Sequence, residues 1–247
     1  MALNDKRIVV GIFFDLEKAF DCINHDILLA KLEYYGIRGV VYTLIKSYLE
    51  DRYQSVKFNN KLSNWDKINI GGSQGSVLGP LFFLIYINDL PSIIPCTTSN
   101  KNSSVILFED DTSVIINEPC LTNFESNLNI VFSIINKWFN SNLLSFNLDK
   151  TYHMQFITKN KSSNNINIEH DNKMIIQTNF IKCLGLTLYN TFSWKQHIDT
   201  IIPKLNKACY TIRRCKLYLS HAALKMVYYP FFHSVMSYGL IFWGKFN

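Results

Sequence analysis

The stretch from Ser104 to Ile116, SVILFEDDTSVII, constrains this chain more than any other. Two apolar runs, Val105 to Phe108 and Val114 to Ile116, flank the acidic triplet Glu109, Asp110 and Asp111. That is the pattern of two buried strands meeting at a tight turn, with carboxylates at the tip. Adjacent aspartates repel, and holding them beside a low-dielectric interior is costly, so a divalent cation is their natural partner. Taken alone, an Asp-Asp pair is more plainly a solvated turn. A second acidic strand end shifts the balance.

That second end is Arg7 to Asp21, RIVVGIFFDLEKAFD. Ile8 to Phe14 is unbroken by polar residues and runs up to Asp15, as expected of a strand buried on both faces that delivers one carboxylate at its end. Three carboxylates from two neighbouring strands suit two Mg²⁺ ions about 4 Å apart, an arrangement that activates an attacking oxygen and stabilises a leaving one in phosphoryl transfer. Mg²⁺ takes oxygen ligands and shares its shell with water and substrate phosphates.

Five stretches then fall in a telling order: FFDLEKAFD, GGSQGSVLGPLFFLIYINDLP from Gly71 to Pro91, FEDD from Phe108 to Asp111, SFNLDKT from Ser145 to Thr151, and CLGLTL from Cys183 to Leu188. In that order they resemble the palm motifs of reverse transcriptases, in particular those of non-long-terminal-repeat retrotransposons of the jockey type. The resemblance implies an α+β fold, a palm with an antiparallel sheet packed on helices over residues 1–190, followed by a basic, helical, thumb-like region over 191–247. It implies an RNA-directed DNA polymerase that uses two Mg²⁺ ions, or Mn²⁺, with an RNA template, a DNA primer and deoxynucleoside triphosphates as partners. An intracellular location, cytoplasmic or nuclear, goes with that activity.

The resemblance also distributes roles. Asp15, Asp110 and Asp111 match its metal-binding, catalytic aspartates, and Lys150 the lysine that protonates or stabilises departing pyrophosphate. Phe20 matches the ring that closes off the sugar 2′ side. Gln74 and Gly75 match the pair lining the nucleotide pocket, an amide that hydrogen-bonds and a glycine that admits close approach. Leu184 and Gly185 match the hairpin that grips the primer end. Read without the resemblance, Phe20 is equally a buried turn residue and Lys150 a solvated lysine.

Departures from the family pattern set a further expectation. Glu109 stands where a small or apolar residue is usual, and another anion about 5 Å from the site costs about 3 kcal/mol at an effective dielectric near 20. Gly72 and Ser73 replace a usual Val-Pro, removing proline's stiffness. The first catalytic strand begins near Met1, leaving no room for a basic fingers segment. The expectation is a truncated polymerase with little or no activity; the alternative is a non-catalytic remnant that binds nucleic acid.

Charge supports the nucleic-acid reading. The net charge of +6 is not spread evenly: from Lys195 onward eight Lys and Arg face one Asp, leaving −1 for the first 194 residues. A basic helical segment beside a carboxylate-bearing domain suits a phosphate backbone held by one and processed by the other, although scattered lysines also make an ordinary solvated helix face. Six cysteines without Cys-x-x-Cys pairs indicate neither a zinc site nor a disulfide framework, which fits a reducing compartment. No small-residue cleavage site follows the first apolar run, and Leu81 to Ile87 is too short for a bilayer, so neither leader nor membrane span is expected.

The local patterns predict a helix capped by Asn24 and ending at Tyr35 before Gly36, a second over Val41 to Leu49, and a strand Tyr53 to Phe58 partnered by Ile68 to Ile70. A helix tolerating Pro80 runs to Leu90. Leu121, Phe124, Leu128, Val131, Ile135 and Trp138 mark a long amphipathic helix packed on the sheet. Short strands around Met174 to Ile176 and Phe180 to Tyr189 precede helices from Trp194.

Overall fold

The computed structural model describes residues 2–72, 75–97, 103–158, 166–170 and 173–244. Two compact units emerge, residues 1–155 with 164–177, and residues 156–163 with 178–247. Gln74, expected to line the nucleotide pocket, lies outside the described residues.

The first unit opens with β1 (Ile8–Phe14), then α1 (His25–Tyr34) and α2 (Gly39–Leu49). Asn24 caps α1 as expected, its side-chain oxygen accepting from the Ile27 N–H at 3.1 Å, and Gly36 takes φ +88° just past the end. The predicted strand over Tyr53 to Phe58 is instead two short ones, β2 (Tyr53–Gln54) and β3 (Lys57–Phe58). β3 pairs with β4 (Lys61–Leu62), while the partner of β2 is β5 (Asp66–Lys67), not Ile68 to Ile70. Every one of these strand residues is exposed, so no buried face fixes a longer register. Ile70 pairs with Asn24 in an isolated bridge.

Next come α3 (Leu78–Ile87), α4 (Leu90–Thr97), β6 (Ser103–Phe108), β7 (Asp111–Glu118) and α5 (Leu121–Ser141). Pro80 falls in the first turn of α3, where its missing N–H costs nothing. A short 3₁₀ turn, Leu148–Lys150, leads into β8 (Tyr152–Phe156), and β9 (Ile168–His170) and β10 (Lys173–Gln177) complete a six-stranded sheet in the order β6-β7-β1-β8-β10-β9. β7 runs antiparallel to both of its neighbours, β6 and β1, while β8 and β10 run parallel, so the sheet is mixed.

Alternation along the central strands separates two faces. Val10 lies opposite Ile116 and Ile12 opposite Val114, all four fully buried in the core with Phe124, Leu128, Val131 and Ile135 of α5. Burying a side chain of this size is worth about 1.5–3 kcal/mol, which is why the helical repeat of α5 is so legible in the sequence. Lys31 crosses from α1 to Asp89 at 2.7 Å and lies 4.7 Å from the Trp138 ring centre; burial lowers its pKa, and the Asp89 carboxylate pulls the other way. This pair ties α1 to α5 through the residue between α3 and α4.

The second unit holds the hairpin β11 (Phe180–Cys183) and β12 (Leu186–Tyr189), then α6 (Lys195–Cys215) and α7 (His221–Tyr228). A π-turn over Tyr229–His233 follows, then α8 (Ser234–Ser237) and α9 (Leu240–Trp243). Its small core gathers Leu186, Ile201 and Trp243. His197 is buried there, its Nδ1 accepting from the Thr187 N–H at 3.3 Å, and burial lowers its pKa.

Candidate active site

The strand pairing brings the two acidic strand ends close: it ends at Phe14 opposite Thr112, one residue before Asp15 and one residue after Asp111. Asp111 in turn pairs with Phe108, which leaves Glu109 and Asp110 as a two-residue hairpin loop. Tight two-residue loops demand positive φ at their first position, and Glu109 supplies it at +52°, a conformation that strains any residue but glycine. Ile106 and Phe108 are also exposed, so the carboxylates border open apolar surface.

Charge has accumulated at the tip. The Asp111 carboxyl is held above the usual carboxylate range, first by partial burial and then by the neighbouring charges of Asp110, Asp15 and Glu109. That Asp15 acts on Asp111 at all is the electrostatic counterpart of the register. Glu109 is itself exposed, so solvent screens its charge. With the dielectric close to that of water, its repulsion at about 5 Å falls from the 3 kcal/mol expected of a sheltered anion to about 0.8 kcal/mol.

Asp15 is anchored by the chain that follows α5. Its carbonyl accepts from the Asn147 N–H at 2.8 Å, and the Glu17 N–H donates to the Ser145 carbonyl at 3.0 Å, with Leu16 and Phe146 bridged antiparallel between them. The Asn147 side chain caps the 3₁₀ turn that follows by accepting from the Asp149 N–H, and this turn brings the Lys150 ammonium to 3.6 Å from the Asp15 carboxylate. The lysine is 65% exposed, so the contact is a weak, solvated ion pair.

Beside the carboxylates lies an open cleft of 560 Å³ that gathers Phe20, Gly75 and Asp110 with Lys18, Asp21 and Pro80. Three residues singled out from separate sequence motifs therefore line one cavity. The Phe20 ring packs on Phe83 of α3, with centres 5.1 Å apart, yet keeps 36% of its surface exposed. The glycine-rich segment is stitched against it: the Gly72 N–H donates to the Phe20 carbonyl at 3.0 Å and the Gly71 N–H to the Ile23 carbonyl at 2.7 Å. Gly71 takes φ +85°, and a Cβ there would sit 3.0 Å from the Asp21 carbonyl oxygen, so glycine is required for this close approach.

Leu184 and Gly185 form the turn of the β11–β12 hairpin in the second unit, both at positive φ. The Tyr238 hydroxyl donates to the Leu184 carbonyl at 2.5 Å, which holds the turn. Sequence reading missed Asp21, which lines the cleft and stands six residues beyond Asp15 in the same acidic stretch. It also missed the strand pairing of Ser145 to Asn147 with residues after β1, for which only the proximity of a hydrophobic Phe146 to polar neighbours gave a signal.

The carboxylates fit Mg²⁺ in kind: hard oxygen donors on adjacent strand ends, with mutual repulsion that a cation would relieve. Among the described residues, no three His, Cys, Asp or Glu side chains are gathered as a group able to hold a metal ion.

Residues 2–188 match the family model described as "Reverse transcriptase (RNA-dependent DNA polymerase)". The chain belongs to the reverse transcriptase family. It is 26% identical over 98% of its length to a probable RNA-directed DNA polymerase from transposon BS of Drosophila melanogaster, covering 27% of that protein. It is also 27% identical over 81% of its length to the RNA-directed DNA polymerase from mobile element jockey of the same organism, covering 22% of it. This reverse transcriptase domain thus spans about a quarter of the length of these curated relatives. Among solved structures it resembles telomerase from Candida tropicalis in complex with a fragment of telomeric RNA, with a TM-score of 0.52 and 16% identity over 75% of this chain and 29% of that one. At that identity the likeness concerns the fold. Among the described residues, no helix is long and apolar enough to cross a membrane.

Proposed function

We propose that this chain is the palm and thumb-like part of a retrotransposon RNA-directed DNA polymerase, residues 1–190 forming the palm and 191–247 the basic thumb-like region. It would transfer deoxynucleotides to a primer 3′-hydroxyl on an RNA template inside the cell, in cytoplasm or nucleus. The observation that carries this is the cleft lined by Phe20, Gly75 and Asp110, beside a strand pair that ends at Phe14 and Thr112, next to Asp15 and Asp111.

Asp15, Asp110 and Asp111 would hold Mg²⁺, or Mn²⁺, which when bound lowers the pKa of an attacking hydroxyl and neutralises charge on a leaving phosphate oxygen. The remaining steps belong to the chain's own groups. Gly75, at φ +80°, leaves room for a nucleotide beside its backbone, and Gln74 is assigned the hydrogen bond to that nucleotide. The exposed edge of Phe20 excludes a 2′-hydroxyl from the sugar position. Lys150, which lies 3.6 Å from the Asp15 carboxylate, would give a proton to departing pyrophosphate once that carboxylate has another counter-charge. Leu184 and Gly185 would hold the primer end.

One observation favours low activity: Glu109 adds an anion at the tip. Carried to its limit, this gives the second reading, a domain that binds nucleic acid without turnover.

Selectivity for the sugar tests the assignment. On an RNA template with Mg²⁺, Phe20→Val is expected to narrow the preference for deoxy- over ribonucleotides by tenfold or more, on the order of the discrimination a shaped pocket achieves. A preference unchanged by the substitution removes Phe20 from the nucleotide site.

A further inference from the structure

Behind the cleft lies a second cavity of 760 Å³ that the proposed chemistry does not use. The two share Asp21 and Gly72 as a common wall. Their lining differs in character: the second cavity carries Arg52 and Lys67, with Gln54 and Asn69 as neutral hydrogen-bonding groups and His25 in its floor.

The cavity is built on fixed backbone. His25 is buried and its Nε2 lies 2.9 Å from the Gly71 carbonyl, while the His25 N–H donates to the Asn69 carbonyl at 3.2 Å. The Ile68 N–H donates to the Arg52 carbonyl at 2.8 Å, closing the mouth of the β2–β5 ladder. Arg52 itself is preset. Its guanidinium lies 5.0 Å from the Tyr48 ring centre, and Nη1 donates to the Tyr48 carbonyl at 3.4 Å, which fixes the side chain and leaves further N–H groups for a ligand. Lys67 is paired with Asp51 at 3.1 Å, but both are substantially exposed, and a solvated pair of that kind yields readily to a phosphate.

We propose that this cavity holds a nucleotide of the single-stranded template next to the one being copied, its phosphate on Arg52 and Lys67 and its base against Gln54 and Asn69. The inference rests on the polymerase reading of the adjoining cleft and deepens it. The volume is in the range of sites that enclose a small ligand, and a planar, preorganised guanidinium suits a phosphate diester. Neutral amides around it provide hydrogen bonds without demanding one base. Asp21 on the shared wall repels the phosphate from the side facing the carboxylates.

The test compares the full chain and the Arg52→Met, Lys67→Met double variant, each titrated with two labelled DNA primer–RNA template duplexes: one blunt, one carrying a four-nucleotide single-stranded template extension. The wild-type chain should bind the extended duplex more tightly than the blunt one, and the double variant should lose about tenfold of that advantage at physiological salt while binding the blunt duplex as before. The slope of log affinity against log salt for the extended duplex should become shallower by about 0.7 for each cation removed, a change that a merely structural role would not produce. Arg52→Lys, which keeps the charge and loses the fork, should fall between them, and thermal melting confirms that each variant is folded. Equal wild-type affinity for the two duplexes, or a double variant weakened equally on both, overturns the inference and leaves the polymerase reading standing. Wild-type binding to neither duplex overturns both.

Discussion

Replacing Glu109 separates two effects that the hairpin superimposes. The residue carries a charge that raises the Asp111 pKa, and its backbone is held at φ +52°. Glu109→Gln removes only the first; Glu109→Gly removes both. For the charge, an exposed anion about 5–10 Å from a divalent cation in near-aqueous surroundings attracts it by about 0.8–1.7 kcal/mol, reduced to half or less by salt, so removing Glu109 costs about two- to fourfold in cation affinity while easing the approach of an anionic triphosphate. For the backbone, relieving a left-handed non-glycine residue returns about 1–2 kcal/mol, from which about 0.5–1 kcal/mol is subtracted for the freedom glycine adds to the unfolded chain. Calorimetric titration with Mn²⁺ and urea unfolding of the wild type and both variants should therefore show the same small loss of affinity, about fourfold at most, in each, with added stability of up to about 1.5 kcal/mol in Glu109→Gly alone. A loss of Mn²⁺ affinity of tenfold or more in Glu109→Gln would refute the reasoning, because it would make Glu109 a ligand and not a screened neighbour.

Two further outcomes follow from the backbone and from burial. Gly71→Ala should destabilise the first unit by about 1–3 kcal/mol in urea unfolding, since a left-handed alanine would also press on the Asp21 carbonyl; an unaltered midpoint would show that the segment shifts freely. Because the pKa of His197 in the fold lies below its ordinary value of 6.5, the unfolded chain binds more protons there, so its contribution to stability is complete above about pH 6.5 and is lost as pH falls below it. The second unit, followed by the fluorescence of Trp194 and Trp243, should melt at lower temperature at pH 5.5 than at pH 7.5, and His197→Phe should shrink that difference; an equal difference in the variant would remove His197 as the cause.

Legibility in the sequence tracked burial. α5 and the β1–β7 pair could be read because most inward positions are apolar and each costs stability if misplaced. Asn24 and Gly36 announced the ends of α1 through hydrogen-bonding and φ requirements that few residues meet. Tyr53 to Lys67 was misread because its alternation serves no buried face, so pairing there is settled by local turns. At the candidate site the strand ends were legible, and their closeness follows from the strand pairing. The Lys150 contact with Asp15 and the wall formed by Asp21 depend on connections between distant segments, which no local pattern encodes. The weight given to Glu109 was too large because exposure, which sets the dielectric, is a property of the folded hairpin.

The most direct test of the account is template-dependent incorporation of labelled deoxynucleotide on an RNA template with Mg²⁺, comparing the natural chain, Glu109→Gly, and Glu109→Gly combined with Asp110→Ala. The account predicts little incorporation by the natural chain, a modest gain in Glu109→Gly, and loss of that gain when Asp110 is removed. Incorporation by Glu109→Gly no greater than by the double variant would contradict it, leaving a domain that binds nucleic acid but does not copy it.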